Sequence, residues 1–221
     1  LNLLCGCVAI FFAVSGDLIT ASYFVFSGIF FDFFDGLAAR LLNAHSEVGL
    51  QLDSLADMVT SGVAPAVVMV QLFSESLFGG TMDVVALFSA DGWNAGWKNY
   101  LPFFGLLIAV ASAYRLAKFN VDTRQTTSFI GLPTPANTLL ILSVPLILQL
   151  QPSNLAETVL LNPWFLAGLT VLSCMLLNAE LPLFALKFKT WDFKRNALRY
   201  LFLGICVVII ILFKFIFIFQ F

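Results

Sequence analysis

Seven apolar stretches separated by short polar breaks restrict the fold of this chain more than any other feature. A helix needs about 20 mostly apolar residues to cross the hydrocarbon core of a bilayer, and each stretch meets or approaches that length. The stretches cover residues 1–15, 18–41, 49–74, 101–119, 133–150, 163–180 and 200–219. Because 60% of the residues are hydrophobic and only 11% are charged, the chain could not cover a water-soluble surface. We therefore predict an all-α fold, a polytopic transmembrane helical bundle of about seven spans.

The basic residues predict the orientation of this bundle, because Lys and Arg accumulate on the cytoplasmic side of a membrane. Nine of the eleven Lys and Arg residues fall on one side of an alternating topology, which places the N-terminus inside and the C-terminus outside. We expect the long break at residues 75–100 to lie along the outer interface. Since no soluble domain or repeat is visible, residues 1–221 are predicted to form a single membrane domain. The net charge of -2 predicts no nucleic-acid partner.

Four aspartates lie inside or at the end of the second and third apolar stretches, where a lipid-facing helix should avoid charge. On insertion scales a carboxylate at mid-membrane costs roughly 2.5–3.5 kcal/mol, so such residues usually line a functional cavity. Helical spacing puts the first set on one face, namely Asp32, Asp35, Gly36, Ala39 and Arg40. It does the same for a second set, Gly49, Asp53 and Asp57. Because a short break joins the two helices, the two faces can meet.

Converging carboxylates repel one another, so they must either take up protons or bind cations. No Cys or His lies in these two stretches, and an oxygen-only ligand set favours a hard ion such as Mg²⁺ or Mn²⁺. Gly36 and Gly49 leave room for a ligand or for the partner helix, and the guanidinium of Arg40 suits phosphate. Together these residues indicate a site for a phosphate ester. A proton or cation pathway would also need the acids but would have less use for the arginine.

The same residues form a motif that resembles the signature of the CDP-alcohol phosphotransferase superfamily. Every fixed position of that signature is matched, by Asp32, Asp35, Gly36, Ala39 and Arg40 and then, after eight residues, by Gly49, Asp53 and Asp57. Residues 53–62, 114–120 and 129–137 also resemble segments typical of the phosphatidylserine synthases of bacteria and archaea. The resemblance covers nearly the whole chain, and it is more specific for the superfamily than for serine as the acceptor. It implies a six-helix catalytic core followed by one additional C-terminal helix.

The resemblance implies an enzyme of phospholipid synthesis that transfers the phosphatidyl group of CDP-diacylglycerol to the hydroxyl of L-serine and releases CMP. The transfer would be a direct displacement assisted by a divalent metal, Mg²⁺ or Mn²⁺, with Asp57 as the catalytic proton acceptor. The implied metal ligands are Asp32, Asp35, Asp53 and Asp57. The implied contacts to CDP-diacylglycerol are Gly36, Arg40 and Ser46. The predicted contacts to serine are Arg115, Asn120, Thr134 and Asn137.

Two other functions are compatible with these residues. The same chemistry could use another acceptor, such as glycerol 3-phosphate or inositol phosphate, although a phosphorylated acceptor would call for extra basic residues near the site. An ion-coupled transporter could use the aspartates instead. The resemblance further implies a homodimer in the cell inner membrane, surrounded by lipid, with its active site facing the cytoplasm. We also expect the natural chain to begin upstream of Leu1, which already lies inside an apolar run.

Overall fold

The computed structural model describes residues 1–42, 46–87, 96–121, 129–180 and 182–183, all within one compact unit, Leu1–Leu183. This part consists of helices and one very short strand pair. The α-helices are α1 (Asn2–Val14), α2 (Leu18–Leu41), α3 (Glu47–Asp57), α4 (Ala64–Phe78), α5 (Val84–Leu87), α6 (Leu107–Val121), α7 (Thr134–Leu150), α8 (Asn154–Leu160) and α9 (Pro163–Asn178). The remaining elements are a π-helix (Met58–Val63), a 3₁₀-helix (Trp97–Leu106) and the antiparallel strands β1 (Phe129–Ile130) and β2 (Pro182–Leu183).

Three helical segments are long and apolar enough to cross a membrane, namely Leu18–Ala39, Glu47–Phe78 and Trp97–Val121. α8 and α9 qualify together as a fourth span with a bend of 59° between them, and α1 and α7 are shorter apolar helices. Helices therefore occur at the first six predicted stretches, and the chain is an all-α integral membrane protein. The seventh predicted stretch, residues 200–219, lies outside the described residues.

The third span is longer than the sequence predicted, since it continues to Phe78 rather than ending at residue 74. It ends where Gly79 adopts a left-handed backbone conformation, with φ of 71°, and donates its N–H to the Glu75 carbonyl. Glycine has no Cβ to oppose this conformation, which is why it commonly terminates helices. The glycine, rather than a loss of apolar character, therefore determines where the span stops.

The fourth span begins at Trp97 rather than at residue 101. Its first segment is the 3₁₀-helix, which contains Pro102. Proline has no N–H to donate inside an α-helix, and short 3₁₀ segments are common at helix ends. The predicted break at 75–100 thus narrows to residues 79–96, of which 88–95 lie outside the described residues.

The third span lies at the centre of the bundle. Its most apolar window is 67% buried, against 28% for Leu18–Ala39 and 33% for Trp97–Val121. α1 packs beside α2, and the fully buried side chains there include Ala9, Ala13 and Ala21. Small residues let helix backbones approach closely. α3 and the π-helix both lie against α1, and the π-helix also lies against α2. This packing brings acidic residues of the two predicted faces together.

Candidate metal centre between α2 and α3

Three carboxylates from two helices converge between α2 and α3. One carboxylate oxygen from each of Asp32, Asp35 and Asp53 lies within 4.8 Å of the other two. Asp32 is partly buried, and Asp35 and Asp53 are exposed. At this separation the charges repel one another, and a cation between them would neutralise that repulsion. Because the three converging ligand atoms are carboxylate oxygens, they fit a hard divalent ion such as Mg²⁺ or Mn²⁺.

The beginning of α3 sets the position of Asp53. The hydroxyl oxygen of Ser46, the N-cap residue of α3, accepts a hydrogen bond from the Gly49 N–H at 3.0 Å. This bond satisfies one of the backbone donors left free at a helix start. A Cβ on Gly49 would lie 2.9 Å from the same oxygen, so the glycine leaves space for the cap. Asp53 follows about one turn later on the same face, and Ser46 therefore acts as a helix cap beside the site.

A cavity of about 570 Å³ adjoins the three carboxylates. Ser46 also lines it, and apolar side chains of its wall include Leu50 and Leu52. Gly36 lines it as well, and a Cβ there would meet nothing within 4 Å, so this glycine faces open space rather than a packed helix. The size suits a small ligand. With a divalent ion held by the carboxylates, the cavity would suit a ligand that carries both phosphates and hydrocarbon. The Arg40 side chain lies outside the described part of the structure.

Asp57 stands apart from this three-carboxylate cluster. Its Oδ1 accepts a hydrogen bond from Asn2 Nδ2 at 3.1 Å, and the same nitrogen donates to Asp32 Oδ1 at 2.9 Å. Asp57 is partly buried and interacts electrostatically with Arg115 of α6. The structure therefore divides the four predicted metal ligands into three that converge and a fourth that is joined to them through Asn2.

Asn2 was not among the site residues predicted from the sequence. The structure buries it, with only 3% of the residue exposed. It lies at the start of an otherwise apolar helix. A buried amide needs hydrogen-bond partners, because burying it without them is unfavourable. The presence of an asparagine in an apolar stretch was therefore a signal that could have identified it.

The four residues predicted to contact serine fall into two groups. Arg115, Thr134 and Asn137 are buried inside the bundle. The Arg115 Nε and both polar side-chain atoms of Asn137 have no hydrogen-bond partner among the described residues. Asn120 is only partly buried, and its amide exchanges hydrogen bonds of 3.0 and 3.1 Å with the Ser54 hydroxyl of α3.

Three buried hydroxyls that were not predicted also have no hydrogen-bond partner in the described part of the chain, those of Ser61, Ser112 and Ser173. A Cβ on Gly62 would lie 3.2 Å from the Ser112 Cβ, so Ser112 of α6 lies against the π-helix that contains Ser61. Ser112 also precedes Arg115 by about one turn of α6. Buried polar atoms are normally hydrogen-bonded to protein, water or ligand. These hydroxyls are therefore buried polar groups whose hydrogen-bonding capacity is not met by the described residues.

Comparison with known proteins identifies the family. The family model described as CDP-alcohol phosphatidyltransferase matches residues 1–177. The chain belongs to this family. The resemblance seen in the aspartate motif is thereby confirmed. The converging carboxylates of this CDP-alcohol phosphatidyltransferase domain could hold a divalent metal.

Three relatives of this CDP-alcohol phosphatidyltransferase domain bear the name CDP-diacylglycerol–serine O-phosphatidyltransferase. The protein from Bacillus subtilis is 38% identical over 138 residues, which cover 61% of this chain and 64% of the relative. The protein from Helicobacter pylori is 31% identical over 205 residues, 92% of this chain and 76% of the relative. The protein from Methanocaldococcus jannaschii is 31% identical over 173 residues, 78% of this chain and 67% of the relative. The match to the Bacillus protein thus spans slightly less than two thirds of that relative.

Proposed function

We propose that this chain transfers the phosphatidyl group of CDP-diacylglycerol to the hydroxyl of L-serine. The observation that carries the proposal is the convergence of Asp32, Asp35 and Asp53 beside a cavity with acidic and apolar walls. The family supports a CDP-activated donor, and the names of the relatives support serine as the acceptor. In this reaction the serine hydroxyl oxygen bonds to the phosphorus that bears diacylglycerol. The bond from that phosphorus to CMP breaks, and the hydroxyl proton passes to Asp57.

Asp32, Asp35 and Asp53 would hold the divalent ion, Mg²⁺ or Mn²⁺. When bound, such an ion neutralises charge on the diphosphate and on the departing CMP. The chain contributes the geometry, because two ligands come from successive turns of α2 and one comes from α3. Ligands placed on helices are held more rigidly than ligands on loops. Asp57 was also predicted as a ligand, and its position outside the group of three converging carboxylates supports a separate role for it.

Gly36, Ser46 and Arg40 are the proposed contacts to the CDP moiety. Gly36 faces open space, so a diphosphate can approach the α2 backbone closely, and Ser46 lines the same cavity. The planar guanidinium of Arg40 suits bidentate binding of phosphate. The apolar wall that includes Leu50 and Leu52 would take the adjoining hydrocarbon of the donor.

Asp57 is the proposed general base. A serine hydroxyl is a weak nucleophile, and a positioned carboxylate draws away its proton in the transition state. The hydrogen bond from Asn2 orients the Asp57 carboxylate, while Arg115 interacts with it electrostatically from α6. The proposed base is therefore linked to the metal cluster through Asn2 and to Arg115 through their opposite charges.

Arg115 and Asn137 are the proposed principal contacts to serine, with Thr134 and Asn120 as further contacts. The unpartnered atoms of Arg115 and Asn137 are available to a ligand, and a buried polar group is stabilised when such a partner binds. A guanidinium pairs well with the single carboxylate of an amino acid. The arrangement thus favours an amino acid as the acceptor.

The other basic residue on this side of α6 is already engaged, which also favours serine over a phosphorylated acceptor. Lys118 forms an ion pair with Glu180 at 3.0 Å. A phosphate on the acceptor would carry more negative charge than a carboxylate and would need additional cations. Among the described residues, Arg115 is the cation that interacts with Asp57, and its single charge suits the carboxylate of serine.

We further propose that residues 1–221 form one membrane domain and that the protein is a homodimer in the cell inner membrane. The site would face the cytoplasm, on the side where most Lys and Arg residues are predicted. Cytoplasmic CMP release and access to membrane-embedded CDP-diacylglycerol both fit a site at that interface.

The test uses the purified full chain in detergent micelles with radiolabelled CDP-diacylglycerol and Mn²⁺. L-Serine, glycerol 3-phosphate and inositol phosphate are supplied separately, and labelled lipid and CMP are both measured. We expect labelled phosphatidylserine and an equal amount of CMP with serine alone. Product with glycerol 3-phosphate but not with serine would overturn the choice of acceptor, and no CMP with any acceptor would overturn the proposed function.

A further inference from the structure

One side chain of α1 joins two of the acids that the proposed reaction uses. Asn2 Nδ2 donates to Asp32 Oδ1 at 2.9 Å and to Asp57 Oδ1 at 3.1 Å. A primary amide nitrogen has two N–H groups, so each carboxylate can receive its own hydrogen bond. These partners also determine the orientation of the amide, because the reverse orientation would direct the Asn2 oxygen at two carboxylates. With both acids ionised, the two bonds are charge-assisted and therefore strong.

The backbone of Asn2 is held in turn by Thr60. The Thr60 hydroxyl donates to the Asn2 carbonyl at 3.1 Å, and Thr60 lies in the π-helix that directly follows Asp57. Two glycines make room for Thr60, since a Cβ on Gly6 would collide with its Oγ1 and one on Gly28 would lie 2.7 Å from its Cγ2. Thr60 is thus wedged between α1 and α2. Single π-helical turns of this kind are frequent at functional sites.

We propose that Asn2, anchored by Thr60, is a positioning residue that fixes the Asp57 carboxylate relative to the metal ligand Asp32. This inference rests on the proposed roles of the two acids. Asp32 belongs to α2 and Asp57 to α3, and their like charges favour separation. Two N–H donors from a third helix oppose that separation. Partners that orient metal ligands in this way typically change metal affinity or activity 10- to 100-fold when removed, roughly the effect expected here.

A purely structural role for Asn2 explains the observations less well. Its Oδ1 has no hydrogen-bond partner in the described part of the chain, and an unsatisfied buried acceptor opposes folding. A residue that served only to pack α1 against α2 would not need an amide. The two roles also predict different results, because loss of packing alone lowers the amount of folded protein, whereas loss of positioning lowers kcat and metal affinity in protein that is folded.

The test compares Asn2→Ala, Asn2→Asp, Thr60→Val and Thr60→Ser with the wild-type full chain in detergent micelles. Ser22→Ala is the matched control, because Ser22 is a buried serine of α2 whose hydroxyl donates within its own helix to the Leu18 carbonyl. The measurements are kcat and KM for both substrates, Mn²⁺ affinity without substrate by electron paramagnetic resonance, and thermal unfolding.

We expect Asn2→Ala to lower kcat about 10- to 100-fold and to weaken Mn²⁺ binding, with KM for CDP-diacylglycerol nearly unchanged. Thr60→Val should lower kcat less, and Thr60→Ser should recover most of that loss because it keeps the hydroxyl. Ser22→Ala should match the wild type. Wild-type kcat and Mn²⁺ affinity in folded Asn2→Ala would overturn the inference.

If Asn2→Ala does not fold, the other variants test the positioning role of Asn2. Asn2→Asp has nearly the same shape but cannot donate two hydrogen bonds, and wild-type kcat in folded Asn2→Asp and Thr60→Val would equally overturn the inference. Failure of the proposed function gives a different result. If the wild-type chain transfers no phosphatidyl group but Asn2→Ala still binds Mn²⁺ more weakly than the wild type, the result would contradict the proposed reaction. It would nevertheless support the link from Asn2 to Asp32.

Discussion

Asp32 on α2 and Asp53 on α3 present carboxylate oxygens within 4.8 Å of each other. Without a cation this approach is unfavourable, and the partial burial of Asp32 reduces the screening of its charge by solvent. The rest of the bundle therefore holds together two charges that would otherwise separate. Binding of a divalent ion would turn a destabilising contact into a stabilising one.

Replacing Asp53 with Asn should consequently change stability and activity in opposite directions. In EDTA the variant should unfold at a higher temperature than the wild type, because one of three repelling charges is removed. Phosphatidyl transfer should fall by more than about 100-fold, the scale for loss of a preorganised electrostatic group. Differential scanning fluorimetry and the radiolabelled assay measure the two effects. A variant less stable than the wild type in EDTA would show that the cluster is not under repulsion.

Asp17 directly precedes α2 and lies outside the site, and its contribution to stability should depend on pH. The Thr20 N–H donates to the Asp17 carboxylate at 3.0 Å, and this bond lowers the pKa of Asp17 below its ordinary value of 3.8. The bond therefore stabilises the fold above this ordinary pKa, which the carboxyl has in the unfolded chain, and the stabilisation is lost as the pH falls through the lower folded value.

Asp17→Ala should therefore unfold at a lower temperature than the wild type at neutral pH, and the difference should shrink below about pH 4. Transfer activity per folded molecule should stay at the wild-type level, since Asp17 precedes the first residue of α2 and Asp35 lies in the last two turns of that helix. Thermal unfolding at a series of pH values measures the effect. An undiminished difference in acid would mean that the carboxylate charge is not responsible.

The cap at Ser46 should affect both the stability of α3 and the site. Ser46→Ala removes the acceptor for the Gly49 N–H, which typically costs about 1 kcal/mol, and it should also lower kcat because Asp53 is positioned by the same helix start. Ser46→Asn restores a capping side chain without adding charge. We expect Ser46→Asn to recover the unfolding temperature in thermal melts, and equal melts for the two variants would argue against the cap.

Replacing Asn137 should weaken the binding of the acceptor without lowering the stability of the protein. Asn137→Leu removes two buried polar atoms that have no partner among the described residues, and such a replacement is often neutral or stabilising. KM for L-serine should rise about 10-fold or more, as expected for a lost hydrogen bond to a charged ligand, with KM for CDP-diacylglycerol unchanged. Thr170→Val is the control, because the buried Thr170 hydroxyl donates only within α9 in the bonds observed. An unchanged KM for serine would remove Asn137 from the acceptor site.

The spacing of the motif was sufficient to predict which helix faces meet. Asp32 and Asp35 share a face because a helix repeats every 3.6 residues, and the short break before α3 makes the two helices neighbours. The helical repeat and the length of the break depend on residues that are close together in the chain, and both can therefore be predicted from the sequence. The end of the third span is also local, but its apolar residues continue past the predicted limit until Gly79 allows the left-handed turn.

The link through Asn2 could not be predicted in the same way. Its partners Asp32 and Asp57 lie 30 and 55 residues away along the chain, so the contacts depend on how three helices pack. The π-helix at Met58–Val63 has no periodic pattern that distinguishes it from an α-helix. Gly6 and Gly28 indicate close packing, but only the structure shows that Thr60 is what they accommodate.

A Mn²⁺ titration of the purified chain, followed by electron paramagnetic resonance of the free ion, tests most directly whether Asp32, Asp35 and Asp53 form one divalent metal site. We predict saturable binding to the wild type, strongly weakened binding to Asp35→Asn, and wild-type binding to Asp17→Asn. Wild-type Mn²⁺ affinity in folded Asp35→Asn would contradict the shared site and, with it, the proposed metal-assisted phosphatidyl transfer.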